Sequence, residues 1–327
     1  MTLVPLAVFR KHLVVLVLTG ALPTGLLVAQ QVADSTYDVS VAMPAYPRGT
    51  GPIVAIDAAH NNFHTKDGRY RPLARLLEND GYRVRSNDTA FNSASLDSID
   101  ILIIANAIGG AWDAGSYERS GFTQAEAVTL ENWVRGGGSL LLIADHAPMG
   151  VAAEILAARF GVSMSKGYTE DSTSHFNIGG FGTSVLLYTR ATGLLKDHSI
   201  TKGLDSIVAF TGQSLTGPEH AEPLLLLGPN AFDHPSPTAE QAKGNPSSAW
   251  RTAVVGLPTT PAGGRAQGLA LSVVEGRVVV LGEAAMLSAQ ASFNAQGERM
   301  GIAGMNVPGI GNRQFALNLL HWLSGRM

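Results

Sequence analysis

The sequence contains no cysteine. That single absence excludes disulfides, thiolate metal sites and a cysteine nucleophile. Charge is scarce as well: Asp, Glu, Lys and Arg make up 15% of the 327 residues, and the formal net charge is −3. No basic footprint for nucleic acid is present, and the acids are too dispersed to form an interaction tail. Several catalytic signatures are also missing. G-x-S-x-G does not occur, and in its nearest approach, Gly212-Gln213-Ser214-Leu215-Thr216-Gly217, the second glycine is misplaced. No G-x-G-x-x-G follows the first apolar run and no P-loop is found, so no nucleotide cofactor is expected. The metalloprotease pattern H-E-x-x-H is absent too.

What is there begins with an export signal. Arg10, Lys11 and His12 form a positive n-region, Leu13 to Gly20 an apolar stretch, and Leu27-Val28-Ala29 a cleavage site before Gln30. An uncleaved anchor is the rival. The apolar run falls short of the ~20 residues that a spanning helix needs, and Pro23 and Gly25 break it. The expectation is a signal peptide over 1–29 and an exported protein, periplasmic or extracellular, with no membrane contact after cleavage. Residues 30–50, with Pro44 and Pro47, read as an extended lead-in. With 45% hydrophobic residues, 51–327 can bury a sizeable core as one domain.

Within it, short apolar runs alternate with amphipathic segments. Strands are expected at 53–56, 82–85, 99–105 and 139–144, and helices at 71–80, 124–135 and 151–160. Gly81 caps the first helix, and Thr123 with Glu126 forms a capping box at the start of the second. "IDILIIA" and "SLLLIA" are apolar enough to be buried on both faces. A hairpin of 268–274 and 277–281 and a helix over 314–323 close the chain. This alternation predicts a three-layer α/β fold with a mostly parallel central sheet. Residues 163–265 are less regular and read as an insertion or lid.

In such a sheet, ligands bind beyond the carboxyl ends of the strands. Asp57, His60, Asn61, Asn62 and His64 follow the first strand. Asn106 follows the third, Asp145 and His146 the fourth, and Glu283 the last. Acids, imidazoles and amides at four strand ends predict one polar site. Asp57, His60, Asp145 and His146 suit a divalent ion (zinc, calcium or manganese), or general acid and base work on a bound water. Glu283 would support them as carboxylate or base. Asn61, Asn62 and Asn106 could donate to an oxyanion, and His64, Trp112 and His175 could line the substrate.

Each residue also has a structural role open to it. Asp57 and Asp145 can cap turns, and Asn61-Asn62 can form one. The aromatics of the 106–122 loop can be packing. Glu170, Asp171 and His175 belong to a loop that either covers the site or is solvated. "HSITKGL" (198–204) reads as structural.

With these segments set out, the chain resembles the class I glutamine-amidotransferase-like, flavodoxin-like superfamily, as an exported branch. The resemblance rests on "IDAAHNNFH", "FTQAEAVTLENWVRGGGSLLLIADHAPMG", "HSITKGL", "GRVVVLGEAAMLSAQ" and "GNRQFALNLLHWLSG", and spans about residues 50–325. It implies a flavodoxin-like sheet. The family's nucleophilic cysteine would stand on the turn that here reads Asp145-His146, so thioester chemistry is lost. Two functions stay open at this point. One is an exported hydrolase of a small ester, lactone or amide. The other is a non-catalytic periplasmic module that binds carbohydrate or protein.

Overall fold

The computed structural model describes residues 30–178 and 182–327. The expected signal segment, 1–29, lies outside them. Its central feature is a nine-stranded mixed sheet. The parallel part comprises β1 (Ile53–Asp57), β2 (Arg83–Asn87), β3 (Ile101–Ala105) and β4 (Ser139–Ile143), joined by α1 (Arg71–Asn79), α2 (Gln124–Arg135) and intervening loops. After β4 come α3 (Met149–Arg159) and, much later, the hairpin β5 (Ala266–Val273) and β6 (Gly276–Leu281), then α4 (Asn312–Leu323). The strand order β2-β1-β3-β4-β6-β5 places five parallel strands in flavodoxin-like sequence, with β5 antiparallel beyond them.

The layers follow from alternation along each strand. Ile56, Ile103, Leu141 and Val279 face one side, packing with Leu73, Leu76 and Leu77 of α1 and Phe315 and Leu319 of α4. Ala55, Leu102, Leu142 and Val280 face the other, packing with Leu130 and Val134 of α2 and Leu156 of α3. Leu73, Leu76 and Leu77 are wholly buried, and each contributes about 2 kcal/mol of transfer free energy. The sheet is therefore covered on both faces: a three-layer α/β fold.

Local signals explain where the elements begin and end. Pro72 sits in the first turn of α1, where its missing N–H costs nothing. Gly81 follows that helix at φ +95°, and a Cβ there would stand 2.2 Å from the Tyr46 carbonyl oxygen. The Thr123–Glu126 capping box opens α2 as expected. "HSITKGL" is structural as read: the His198 side chain accepts the Ile200 N–H, and Ile200 and Leu204 are buried.

Two segments differ from expectation. Within the lead-in, Gln30–Ala33 forms a strand paired with Ala289–Phe293, which pairs in turn with Arg299–Gly304. Alternation was too short there to be seen. The 163–265 region, read as a less regular insertion or lid, contains strands of its own. Its strands Ser163–Met164, Leu215–Thr216 and Glu222–Leu226 extend the central sheet past β5, while Val185–Thr189 pairs with Ser206–Phe210.

Candidate functional site

The polar strand ends separate into two groups. The first is a buried ion network. His60 Nδ1 lies 2.8 Å from Asp57 Oδ2, and its Nε2 lies 2.9 Å from Glu126 Oε1. A carboxylate faces each ring nitrogen, so both nitrogens donate and the ring is an imidazolium. Burial opposes that charge, but the hydrogen bonds and charges of Asp57 and then Glu126 outweigh it and raise the His60 pKa. Burial also works against the Glu126 carboxylate, yet hydrogen bonds from Thr123, His60 and Phe91 bring its pKa down to about 2. The ring is packed between Phe91 and Phe122, at centroid distances of 4.6 and 4.5 Å. Asp57 additionally accepts from Asn87 Nδ2 at 3.0 Å.

This network fixes the loop after β1. The Asn62 side chain accepts the His60 N–H at 3.1 Å, and Asn61 takes φ 53°. The two asparagines are thus turn formers. Glu126 was visible in the sequence only as a helix cap; nothing local announced that it would reach His60.

The second group surrounds a cavity of about 180 Å³ beyond the ends of β1, β3 and β4. It is lined by His64, Arg69, Asp145, His146, Thr211 and Trp250, with Arg251, Gln31 and Gln290 among its other walls. Asn106 organises it. Its Oδ1 accepts the Asp145 N–H at 2.9 Å, so its Nδ2 must be the donor toward His64 Nδ1 at 3.3 Å and Asp145 Oδ2 at 3.4 Å. His64 Nδ1 is therefore an acceptor, and the proton sits on Nε2. That Nε2 is buried with no partner among the described residues. Burial, with the Arg69 charge adding to it, lowers the His64 pKa to about 3. His64 is a neutral, permanent donor.

His146 has the opposite tautomer. Its Nδ1 lies 2.8 Å from the Ala147 carbonyl oxygen, which can only accept, so in the neutral ring the lone pair is on Nε2. Burial lowers its pKa despite the Asp145 charge. The ring stacks on Trp250, 3.8 Å between centroids and 18° between planes. Burial raises the Asp145 pKa against the opposing pull of His146 and of the hydrogen bonds it accepts. Glu283 is wholly buried and accepts the N–H groups of Ala285 and Met286 at 2.5 and 2.8 Å. Burial and then the Asp145 charge raise its pKa far above the usual range. It does not line the cavity; it acts on Asp145 electrostatically and caps a turn.

Thr211, on the cavity wall, takes φ +77°. That conformation is rare for a β-branched residue and costs about 1–3 kcal/mol.

Four proposed metal ligands do not make one set. Both His60 nitrogens and an Asp57 oxygen are engaged with each other and Glu126, which leaves Asp145 and His146. Among the described residues, no group of three or more His, Asp or Glu side chains has the geometry to hold an ion. Trp112 lies away from the cavity, edge-on to Phe63 at 4.8 Å. His175 forms a bridge with Leu186, Glu170 pairs with His234 at 3.0 Å, and Asp171 caps the Thr173–Ser174 turn. None of these three acids and imidazoles lines the cavity. Of the 163–265 region, Phe210 and Thr211 line the cavity, with Trp250 and Arg251 of the short helix 249–252. Trp250, Arg251 and Arg69 went unmarked in the sequence. The signal for the pair was a Trp-Arg dipeptide beside an otherwise polar, Gly/Pro/Ser/Asn-rich loop.

No protein-family profile and no curated protein matches the chain. Solved structures do. The mmIFT52 N-terminal domain is similar over 83% of this chain and 97% of its own, at 14% identity and a TM-score of 0.55. A ThuA-like protein from Bacteroides uniformis matches over 86% and 93%, at 14% identity and a TM-score of 0.44. A cytoplasmic protein from Salmonella typhimurium LT2 matches over 83% and 98%, at 14% identity and a TM-score of 0.43. At this identity the likeness to the mmIFT52 domain is one of fold, and the chain shares that fold.

Proposed function

We propose that the protein is an exported hydrolase of a small ester, lactone or amide, from a branch of the amidotransferase-like superfamily that has lost its cysteine. One observation carries this: Asp145 and His146 line one cavity with the carboxyl pKa raised and the imidazole pKa lowered. The two shifts favour the proton on the carboxyl and its loss from the imidazole, the directions that general acid and general base work need. In this scheme His146 Nε2 takes a proton from water as that water attacks the acyl carbon. Asp145 gives its proton to the leaving oxygen or nitrogen. Asp57, His60 and Glu126 hold the loop that carries His64 rather than touching substrate.

No step is assigned to a metal, because Asp145 and His146 alone fall short of the three protein ligands of catalytic zinc sites. The test is acid release by residues 30–327 from a panel of esters, lactones and amides, with and without a chelator. Turnover abolished in His146→Ala and indifferent to chelator supports the scheme. Turnover that dies with chelator and returns with one added metal sinks the metal-free step. No turnover on any member favours the second reading, a periplasmic carbohydrate- or protein-binding module. That alternative draws on two buried atoms of cavity-lining residues that have no partner among the described residues, His64 Nε2 and Gln290 Oε1.

A further inference from the structure

Two guanidinium groups line the cavity without a carboxylate of their own. Neither guanidinium forms an ion pair or hydrogen bond among the described residues; Arg69 lies over the Phe63 ring at 4.5 Å and Arg251 over the Trp250 ring at 4.6 Å. Stacking holds each guanidinium plane while leaving its N–H edge free. Arg69 is half-buried and feels the Asp145 charge without a hydrogen bond to it, while Arg251 is exposed; an anionic ligand would give both N–H edges the direct partner they lack. The third donor is independent of these two. His64 is 2% exposed, its Nε2–H has no partner, and Asn106 fixes the tautomer that makes it a donor. Arg69 is felt at His64, so a positive field and an orphan N–H share one wall.

We infer that this cavity recognises a small carboxylate, held by the Arg69 and Arg251 forks with the His64 Nε2–H as a further donor. A carboxylate presents two coplanar oxygens that match the guanidinium edge. A volume near 180 Å³ admits about six waters' worth of ligand, which suits a molecule of acetate to succinate size rather than a sugar chain. This inference deepens the proposed hydrolase: the ester or amide cleaved carries a free carboxylate elsewhere on a short backbone.

Calorimetric titration of residues 30–327 with acetate, glycolate and succinate, against acetamide and methylphosphonate, tests the idea without needing turnover. Saturable carboxylate binding is expected, with acetamide silent. Arg69→Gln and Arg251→Gln should each weaken it roughly tenfold to a hundredfold, and Arg69→Lys should recover part of the loss. Arg251 is exposed, so its variant keeps the test valid if Arg69→Gln folds poorly. Binding of acetamide as tight as acetate, preference for methylphosphonate, unchanged binding in both Gln variants, or no binding at all would each overturn it. Carboxylate binding without turnover on any ester leaves the recognition standing and removes the hydrolase. Turnover of neutral esters that is untouched by Arg69→Gln and Arg251→Gln does the reverse.

Discussion

Glu126 closes from α2 what Asp57 begins on β1: its Oε1 lies 2.9 Å from the Nε2 of His60, 66 positions earlier in the chain. A residue that caps a helix thereby also neutralises half of a buried imidazolium. The same carboxylate accepts from Thr123, from Phe91 and from His60. One side chain ties the start of α2 to the loops after β1 and β2.

Glu126→Gln should therefore destabilise the fold by roughly 3 kcal/mol, because it leaves a buried charge with one partner too few. The pH dependence should identify the network. The raised His60 pKa contributes stability that is complete below its ordinary value of 6.5 and is lost as pH rises through the folded value. Glu126, with its pKa lowered to about 2 from 4.5, contributes stability that is present above 4.5 and lost as pH falls toward 2. Urea unfolding should show the largest difference between wild type and Glu126→Gln between pH 4.5 and 6.5. A difference that grows steadily above pH 7 would contradict the assignment.

His146→Ala should lower kcat on any confirmed substrate by about 10²–10⁴-fold, the usual contribution of a positioned base. Because the base works when neutral and its pKa is lowered, the acidic limb of the rate profile should lie below 6.5. Asp145→Asn should cost a similar factor. Rate profiles of both variants against wild type check the two roles, and a wild-type acidic limb above 6.5 would remove His146 from the part of base.

His64 should stay neutral down to about pH 4 and carry its proton on Nε2, given a pKa of about 3. Two-bond ¹⁵N–¹H spectra of the imidazoles read both properties directly. Asn106→Ala should release the tautomer and shift the His64 resonances while leaving those of His321, on the opposite flank, in place. Protonation of His64 near pH 6 would contradict its burial.

Gln213 is wholly buried; its Nε2 donates to the carbonyl oxygens of Ala144 and Asp145 at 2.9 Å each, and its Oε1 accepts the Lys166 N–H at 2.7 Å. Gly150 leaves room for it, since a Cβ there would lie 2.5 Å from Gln213 Oε1. Gly150→Ala should displace the amide, destabilise the protein by about 2 kcal/mol, and lower kcat along with stability through Asp145. Thermal unfolding and turnover measured on the same preparation would separate it from a distant Gly→Ala control.

The fold was legible because its strands are apolar without interruption. Nothing but burial on both faces explains "ILIIA" or "SLLLI", and the Thr123 capping box marked the start of α2 to the residue. The site was legible only where chemistry follows a strand directly, as at His64, Asn106, Asp145 and His146. Asp57 and His60 looked equally reactive, yet their partner came from a helix whose sequence advertised only its cap. Arg69, Trp250 and Arg251 reach the cavity from segments with no periodicity to place them. Tertiary closure, not local pattern, brings them in.

The pairing of Gln30–Ala33 with Ala289–Phe293 has a consequence for assembly. Gln31 and Gln290 wall the cavity from opposite ends of the described chain, and Asp34 is clamped by Arg299, 265 positions away, at 2.8 Å. Contacts this distant in sequence form late, after the loop-closure entropy of nearly the whole chain has been met. Strands β1 to β4 can pair from residues 53–143 alone and still enclose no cavity. The cavity wall closes only when Gln290 and Ala303 come into place beside Gln31, so the chamber is a product of long-range closure rather than of any one segment.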